Sequence, residues 1–450
     1  MSLSVMSTKL QKPKLPLSVV EKEKINHRLS VAKINVICAQ AGSGKSTVVS
    51  RWLEFQESPY IWYALDEWDN DLAQFLTYLA TGIFAIDKDV SNQMKQLLSA
   101  RQTIGDDALI KTFTTLLNTV QIPFIWVLDD YHTIQEESIH QMMKTLLSRF
   151  PQNMQMCIIS REDPPFSLAK LRVQRQLTEL RMSDLRFTLK ETEAFLSSNL
   201  DQTLTASQMA YLYGRTEGWI AGLQLTALSL QGVSDVERFI LNFSESHYYI
   251  MDYLLEEVLE RHTEAMRQFL LKSSIFEYFS PELCDFVFEY SPGESQKVID
   301  YLIKTNSFLI ELNQKVWFRY HHLFRELLRR RVEMLDKHHI SSLHKSAGMW
   351  FEKQGRIQEA IDHYLNGGNH DLAASQIELR WSTMDMELSS SSWHDMARRL
   401  PQNWIDNSPV LSTGIGWAFL DRGDVEKCIP YFDHAQSLYD QWQQSGEARD

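Results

Sequence analysis

The chain has 450 residues, too many for one hydrophobic core, so two to four domains are expected. Its 44% hydrophobic and 23% charged residues are those of a folded globular protein and argue against extensive disorder. A formal net charge of -13 argues against wrapping nucleic acid over a wide surface, and no run of 18 apolar residues offers a membrane span.

Residues 1–30 are polar and basic, carry Pro13 and Pro16, and read as an extended arm leading into a short helix. From 31 to 190, short apolar runs at 34–38, 60–65, 124–128 and 156–159 read as strands buried on both faces. Amphipathic stretches between them, such as 47–55, 72–83 and 139–150, read as helices, so a parallel sheet covered by helices is expected. Thr188 with Glu191 forms a capping-box pattern ahead of a helix at 190–199. Segments 206–213 and 219–230 follow as helices and complete a helical domain at 191–244. Residues 245–340 combine several helices with two short strands, 308–312 and 316–320, joined at Asn313 and Gln314, which suits a winged-helix domain.

The last part, 341–450, holds a repeat. Gly348, Phe351, Gly355 and Ile361 recur as Gly416, Phe419, Gly423 and Ile429, and Ala360 and Tyr364 recur in character as Cys428 and Phe432. The offset of 68 (416 minus 348) is twice the ~34-residue period of tetratricopeptide helix pairs. Ser389 stands where an intermediate copy would carry its turn glycine. Stacked helical hairpins are expected, as a truncated array within a fragment of a longer protein. The fold class is therefore multidomain α/β plus α: a P-loop parallel sheet with helices on both faces, a helical domain, a winged-helix domain and the start of a TPR-like superhelix.

The strongest chemical signal is Ala39-Gln40-Ala41-Gly42-Ser43-Gly44-Lys45-Ser46-Thr47, directly after the first strand. It is a P-loop with alanine at its first glycine position. Gly42 and Gly44 permit the backbone angles that curl amide groups around a phosphate, and the following helix adds its positive N-terminus. Lys45 supplies charge to the β- and γ-phosphates of ATP or ADP, and Ser46 a ligand for Mg2+. The run 124–128 ends in Asp129 and Asp130, a Walker B pattern that delivers Asp129 to magnesium and Asp130 to the attacking water. Arg161, ending the next strand, is placed to sense a γ-phosphate. Trp62, Asp66 and Glu67 end the second strand at the same edge. The adjacent His321 and His322 do not share a helix face, which argues against a joint metal site. The run Arg325, Arg329, Arg330 and Arg331 reads as a solvated helix end. Cys38, Cys157, Cys284 and Cys428 are scattered without metal spacing, as suits a reducing cytoplasm.

With these pieces assembled, the sequence resembles the MalT-like, LuxR-type ATP-dependent transcriptional regulators of the STAND class of P-loop NTPases. The resemblance is carried by residues 41–47, 62–67, 128–132, 160–165, 177–181, 216–225 and 319–324. It implies ADP buried between domains at rest, and an inducer plus ATP that open the molecule for self-association. It also implies a winged-helix histidine on the ADP phosphates, matched by His321, and places Gly218 and Trp219 near the base or sugar. The inducer, a small molecule or protein, would act at the repeats. DNA would be reached only through a C-terminal domain absent from this chain; Glu21 and Lys22 stand where the family usually has arginine. The expectation is an ATP/ADP-controlled switch with slow ATPase activity, cytoplasmic and without membrane contact. The alternative is a turnover P-loop ATPase, an AAA-type motor or a kinase.

Overall fold

The computed structural model describes residues 5–16, 19–100, 104–200, 202–231, 233, 235–241, 248–312, 316–332, 337–387 and 390–445. Asn313, Gln314 and Ser389 therefore lie outside the described residues. The chain forms two compact units. The first takes in 1–262, 300–309 and 321–326, and the second 263–299, 310–320 and 327–450.

The first unit is built on a five-stranded sheet of β1 (Ile34–Cys38), β2 (Tyr60–Ala64), β3 (Phe124–Asp129), β4 (Met154–Ser160) and β5 (Leu177–Leu180). Their spatial order is β2-β3-β4-β1-β5 and every pairing is parallel. Strands β1 and β3 are buried along their whole length, because helices cover both faces. Two separate apolar clusters mark those faces: one gathers Phe75, Trp126, Met142 and Ile158, the other Trp52, Trp62, Val127 and Ile159. The connection from β1 passes over β4 and β3 to reach β2, so the order reverses beside β1. Open α/β sheets bind ligands at such a switch point, outside the carboxyl ends of the strands. Cys38, Asp129 and Ser160 all end there.

Strand β5 has no counterpart in the apolar runs read from sequence. Leu177-Thr178-Glu179-Leu180 lies at the sheet edge, where only Leu180 is fully buried, so it needs no continuous apolar run. Asp66 follows β2 at the carboxyl edge, where Ala64 pairs in register with Asp129, but its side chain caps the turn at Trp68 and pairs with Lys9 at 2.8 Å. Lys9 also reaches the buried Asp69 at 2.7 Å, Met6 N donates to Tyr78 Oη, and Ser50 Oγ donates to the Pro13 carbonyl. These contacts strap the arm across the sheet edge and the P-loop helix.

Farther along, Leu189–Asn199 starts with the capping box of Thr188 and Glu191, and Ala206–Thr216 and Ile220–Leu230 follow. Trp219 is the N-cap residue of the last of these rather than part of it.

In the second unit, the strand at Leu309–Leu312 pairs with the one at Trp317–Tyr320, and Phe279 and Phe318 exchange backbone bonds at 2.8 Å beside them. With Glu264–Ser273 and Pro281–Phe288, this makes a winged-helix arrangement. Arg329 of the basic run donates to the Ser274 and Ile275 carbonyls and so closes a helix end.

The repeat follows as helical pairs. Lys337–Lys353 packs on Ile357–Asn366, and Pro409–Asp421 on Val425–Ser445. A Cβ on Gly348 would fall 2.3 Å from the Tyr364 ring, and one on Gly416 would fall 2.7 Å from Phe432. The same glycine-on-ring contact thus recurs at the sequence offset. Among the described residues, no helix is long and apolar enough to cross a membrane.

Candidate nucleotide-binding site

Strand β1 runs into the loop 39–44, and Gly44, at φ 78°, caps the helix Lys45–Leu53. That helix starts two residues earlier than periodicity indicates, because Lys45 and Ser46 already take its first turn. Their free amides are the anion-binding end of the helix. Lys45 is buried and its Nζ donates to the Ala39 carbonyl at 2.8 Å and the Gln40 carbonyl at 3.0 Å. Burial lowers its pKa to about 8, with the Arg161 charge adding to the effect and Asp130 and Asp129 opposing it. An ammonium held by two neutral carbonyls in a buried loop is poised to exchange them for phosphate oxygens.

Ser46 Oγ donates to Asp129 Oδ1 at 2.9 Å, and the Asp130 amide donates to the same oxygen at 3.1 Å. Burial, then the Asp130 charge, pushes Asp129 up to about 7. Asp130 itself sits at φ 56°, a left-handed turn that swings its side chain off the strand line. His132 Nδ1 lies 3.8 Å from Asp130 Oδ1, and burial lowers its pKa to about 4. Among the described residues, no group of three or more His, Cys, Asp or Glu side chains is arranged to hold a metal alone. Ser46 and Asp129 suit Mg2+, which takes one or two protein oxygens and completes its shell with phosphate and water.

The loop is clasped from its other side. Trp219 Nε1 donates to the Ala41 carbonyl and the Ala221 amide to the Gly42 carbonyl, both at 3.0 Å. Gly42, at φ 65°, has no room for a side chain: a Cβ would lie 2.5 Å from that of Ala221. His321 is fully buried; its Nε2 meets the Thr216 carbonyl at 2.9 Å and its ring stands edge-on to Trp219. Its path to the P-loop thus runs through Trp219. His322 is exposed, and its amide donates to Glu217.

Arg161 follows β4. Its guanidinium pairs with Glu257 at 2.9 Å, and its carbonyl accepts from Asn306 Nδ2 at 2.7 Å. Beside Gly44, Thr47 and Val48 opens a pocket of about 100 Å³, with Val19, Val20, Phe187, Phe195 and Ile220 as apolar walls. Its apolar lining suits contact with a flat aromatic group. Ile220 lines it, whereas Trp219 turns to the P-loop backbone. Single-residue reading missed these walls and the Glu257 partner. They come from three distant segments, and the Thr188 capping box was the one legible sign of that neighbourhood.

The sheet order, the glycine-lysine loop at its switch point and the acid-ended β3 define a P-loop fold, and a winged helix follows in the same chain. Residues 255–340 match the MalT winged helix domain. The chain is 31% identical over 373 residues to the HTH-type transcriptional regulator MalT of Klebsiella pneumoniae (strain 342), which covers 81% of this chain and 41% of that protein. The corresponding MalT of Yersinia pestis (strain Pestoides F) is 30% identical over 373 residues, with the same coverage. Among solved structures, a Walker-type ATPase of Pyrococcus abyssi aligns at TM-score 0.51 with 12% identity, over 72% of this chain and 100% of its own. The chain is thus similar to MalT over most of its own length, and it spans about two fifths of the length of the curated relatives it matches.

Proposed function

We propose that this chain is the nucleotide-controlled part of a transcriptional regulator, switching between ADP and ATP forms in the cytoplasm. The observation that supports this most is the Trp219–Ala221 clasp on Ala41 and Gly42. The phosphate loop cannot shift without moving the helix Ile220–Leu230, and Trp219 in turn packs on His321 and Phe308. Nucleotide state thereby has a mechanical outlet beyond the sheet. A ligand shifts such an equilibrium only as far as it favours one arrangement over the other.

In this reading Ala41, Gly42, Ser43, Gly44 and Thr47 cradle phosphates through their backbone, Lys45 moves its ammonium onto them, and Ser46 and Asp129 hold Mg2+. The metal would neutralise charge between the β- and γ-phosphates. Asp130 orients water and Arg161 meets the terminal phosphate. The segments 1–30, 31–190, 191–244, 245–340 and 341–450 serve as arm, nucleotide-binding, helical, winged-helix and repeat parts. An inducer acts at the repeats, the ATP form self-associates, and DNA is contacted through sequence beyond this chain. The free, buried cysteines support a reducing compartment.

The test is the nucleotide carried by purified protein, together with its turnover. A switch retains ADP and hydrolyses well below the ~1–10³ per second of metabolic enzymes. Fast multiple turnover without an inducer would instead establish the turnover ATPase. Lys45→Ala should abolish binding by calorimetry with the fold intact.

A further inference from the structure

Arg161 is anchored at one end and divided at the other. Its carbonyl is fixed by Asn306, which also reaches Cys38 Sγ at 3.5 Å. Asn306 and Phe308 both hold positive φ, 48° and 57°, and a bulky residue such as phenylalanine adopts that conformation only when its surroundings impose it. Strand β4 therefore delivers the Arg161 backbone to one place, and the guanidinium is the part free to choose partners.

Its present partner is Glu257. Arg161 Nη2 meets Glu257 Oε2 at 2.9 Å and Nη1 donates to the Glu257 carbonyl at 3.3 Å. A second guanidinium, from Arg261, meets the same Oε2 at 2.7 Å. Glu257 lies on a π-helical turn, Leu255–Leu259, a rare geometry often found at functional sites. Between this turn and the P-loop lies a pocket of about 150 Å³, lined by Ala41, His132, Arg161, Glu257, Arg261 and Asn306. Arg161, Lys45 and Arg261 all act electrostatically on His132, so the cations surround one space.

Resting on the nucleotide reading above, we propose that Glu257 sets the preference between tri- and diphosphate: it holds the Arg161 guanidinium when a terminal phosphate is lacking and yields it when one competes. The pair is partly exposed, with side chains 22% and 32% accessible, so it is a weak partner that a phosphate can displace. Arg261 then keeps the released carboxylate, which lowers the cost of exchange. A diphosphate makes no such demand and leaves the pair closed.

The two partners of Glu257 give opposite signs. In the whole chain, calorimetry with ADP and with Mg2+ and a non-hydrolysable ATP analogue gives the affinity ratio. Glu257→Gln should raise the triphosphate-to-diphosphate ratio roughly 5-fold or more, the lower range of such couplings, with ADP affinity unchanged within about twofold. Arg261→Ala leaves Glu257 wholly to Arg161 and should lower the ratio. In an Arg161→Ala background, Glu257→Gln should change nothing further. An unchanged ratio in folded Glu257→Gln, or an effect that persists without Arg161, would overturn the proposal. Should that variant fail to fold, an unchanged or raised ratio in Arg261→Ala overturns it alone. Wild-type protein that binds neither nucleotide would instead overturn the nucleotide reading on which it rests.

Discussion

Ser46 Oγ donates to Asp129 Oδ1 across 83 residues of sequence, joining the first turn of the P-loop helix to the end of β3. If these two oxygens hold Mg2+ together, Ser46→Ala and Asp129→Asn should each weaken magnesium-dependent ATP binding about tenfold. Combining them should add little, since residues acting on one ion are not additive. Asp129→Asn also removes a buried charge crowded by Asp130, so the nucleotide-free variant should melt no lower than wild type. Calorimetry with and without magnesium, plus a thermal melt, checks both statements; a clearly lowered melting point would contradict the second.

Trp219→Phe keeps the ring contacts with Phe308 and His321 but deletes the N–H that Ala41 accepts. The loss is worth about 1 kcal/mol, or roughly fivefold in an equilibrium. A fluorescent ADP analogue should leave the variant faster by about that factor, as stopped-flow displacement would show. Identical release rates would mean that the clasp does not govern retention.

Three buried histidines predict the response to acid. Burial lowers His132, His321 and His344 to about 4, against about 6.5 in an unfolded chain. The sign follows from linkage: stability is full above about pH 6.5 and falls as pH drops toward 4, because the unfolded chain binds those protons first. Each contributes about 1 kcal/mol of loss at pH 5.5. Asp129 works the other way, since its raised pKa costs stability as pH climbs from about 4 to 7. Because the two effects oppose, the readout is the difference between variants: in denaturant melts at pH 7.5, 6.5 and 5.5, His344→Gln should lose less stability on acidification than wild type. The same pH dependence in both proteins would refute the assignment.

Gly348→Ala tests the repeat. Alanine favours a helix by up to about 1 kcal/mol over glycine. Here the added methyl would meet a Tyr364 ring whose hydroxyl is tied to Glu352 at 2.7 Å. Overpacking costs about 1–3 kcal/mol, so the net should be destabilising. Gly348→Ala with Tyr364→Leu should recover part of the loss. A stabilised single variant would show that the ring moves freely.

The phosphate loop was legible because its chemistry is local: glycines at 42 and 44 and a lysine at 45 carry their reason in their own backbone and spacing. Strand β3 was legible because burial on both faces writes a continuous apolar run. Leu177–Leu180 was not, because an edge strand tolerates Thr178 and Glu179. Glu257 was beyond reach for another reason. Its partner Arg161 lies 96 residues away, and the π-turn that presents it has no sequence signature. The match of Gly348 with Gly416 could be read because the same steric demand recurs wherever one helix crosses an aromatic ring.

The strap formed by Met6, Lys9 and Pro13 carries a practical consequence. Pro16, Val19, Val20 and Lys22, just after it in sequence, wall the apolar pocket beside Thr47. A shortened protein beginning at residue 23 would keep every strand, the core helix Glu23–Val31 and the whole P-loop, and its circular dichroism would look native. It would nevertheless lack one side of that apolar pocket, and a bulky purification handle fused close to Met6 would strain the same attachment. Low affinity in either preparation would report on the design of the expression plasmid rather than on the phosphate loop.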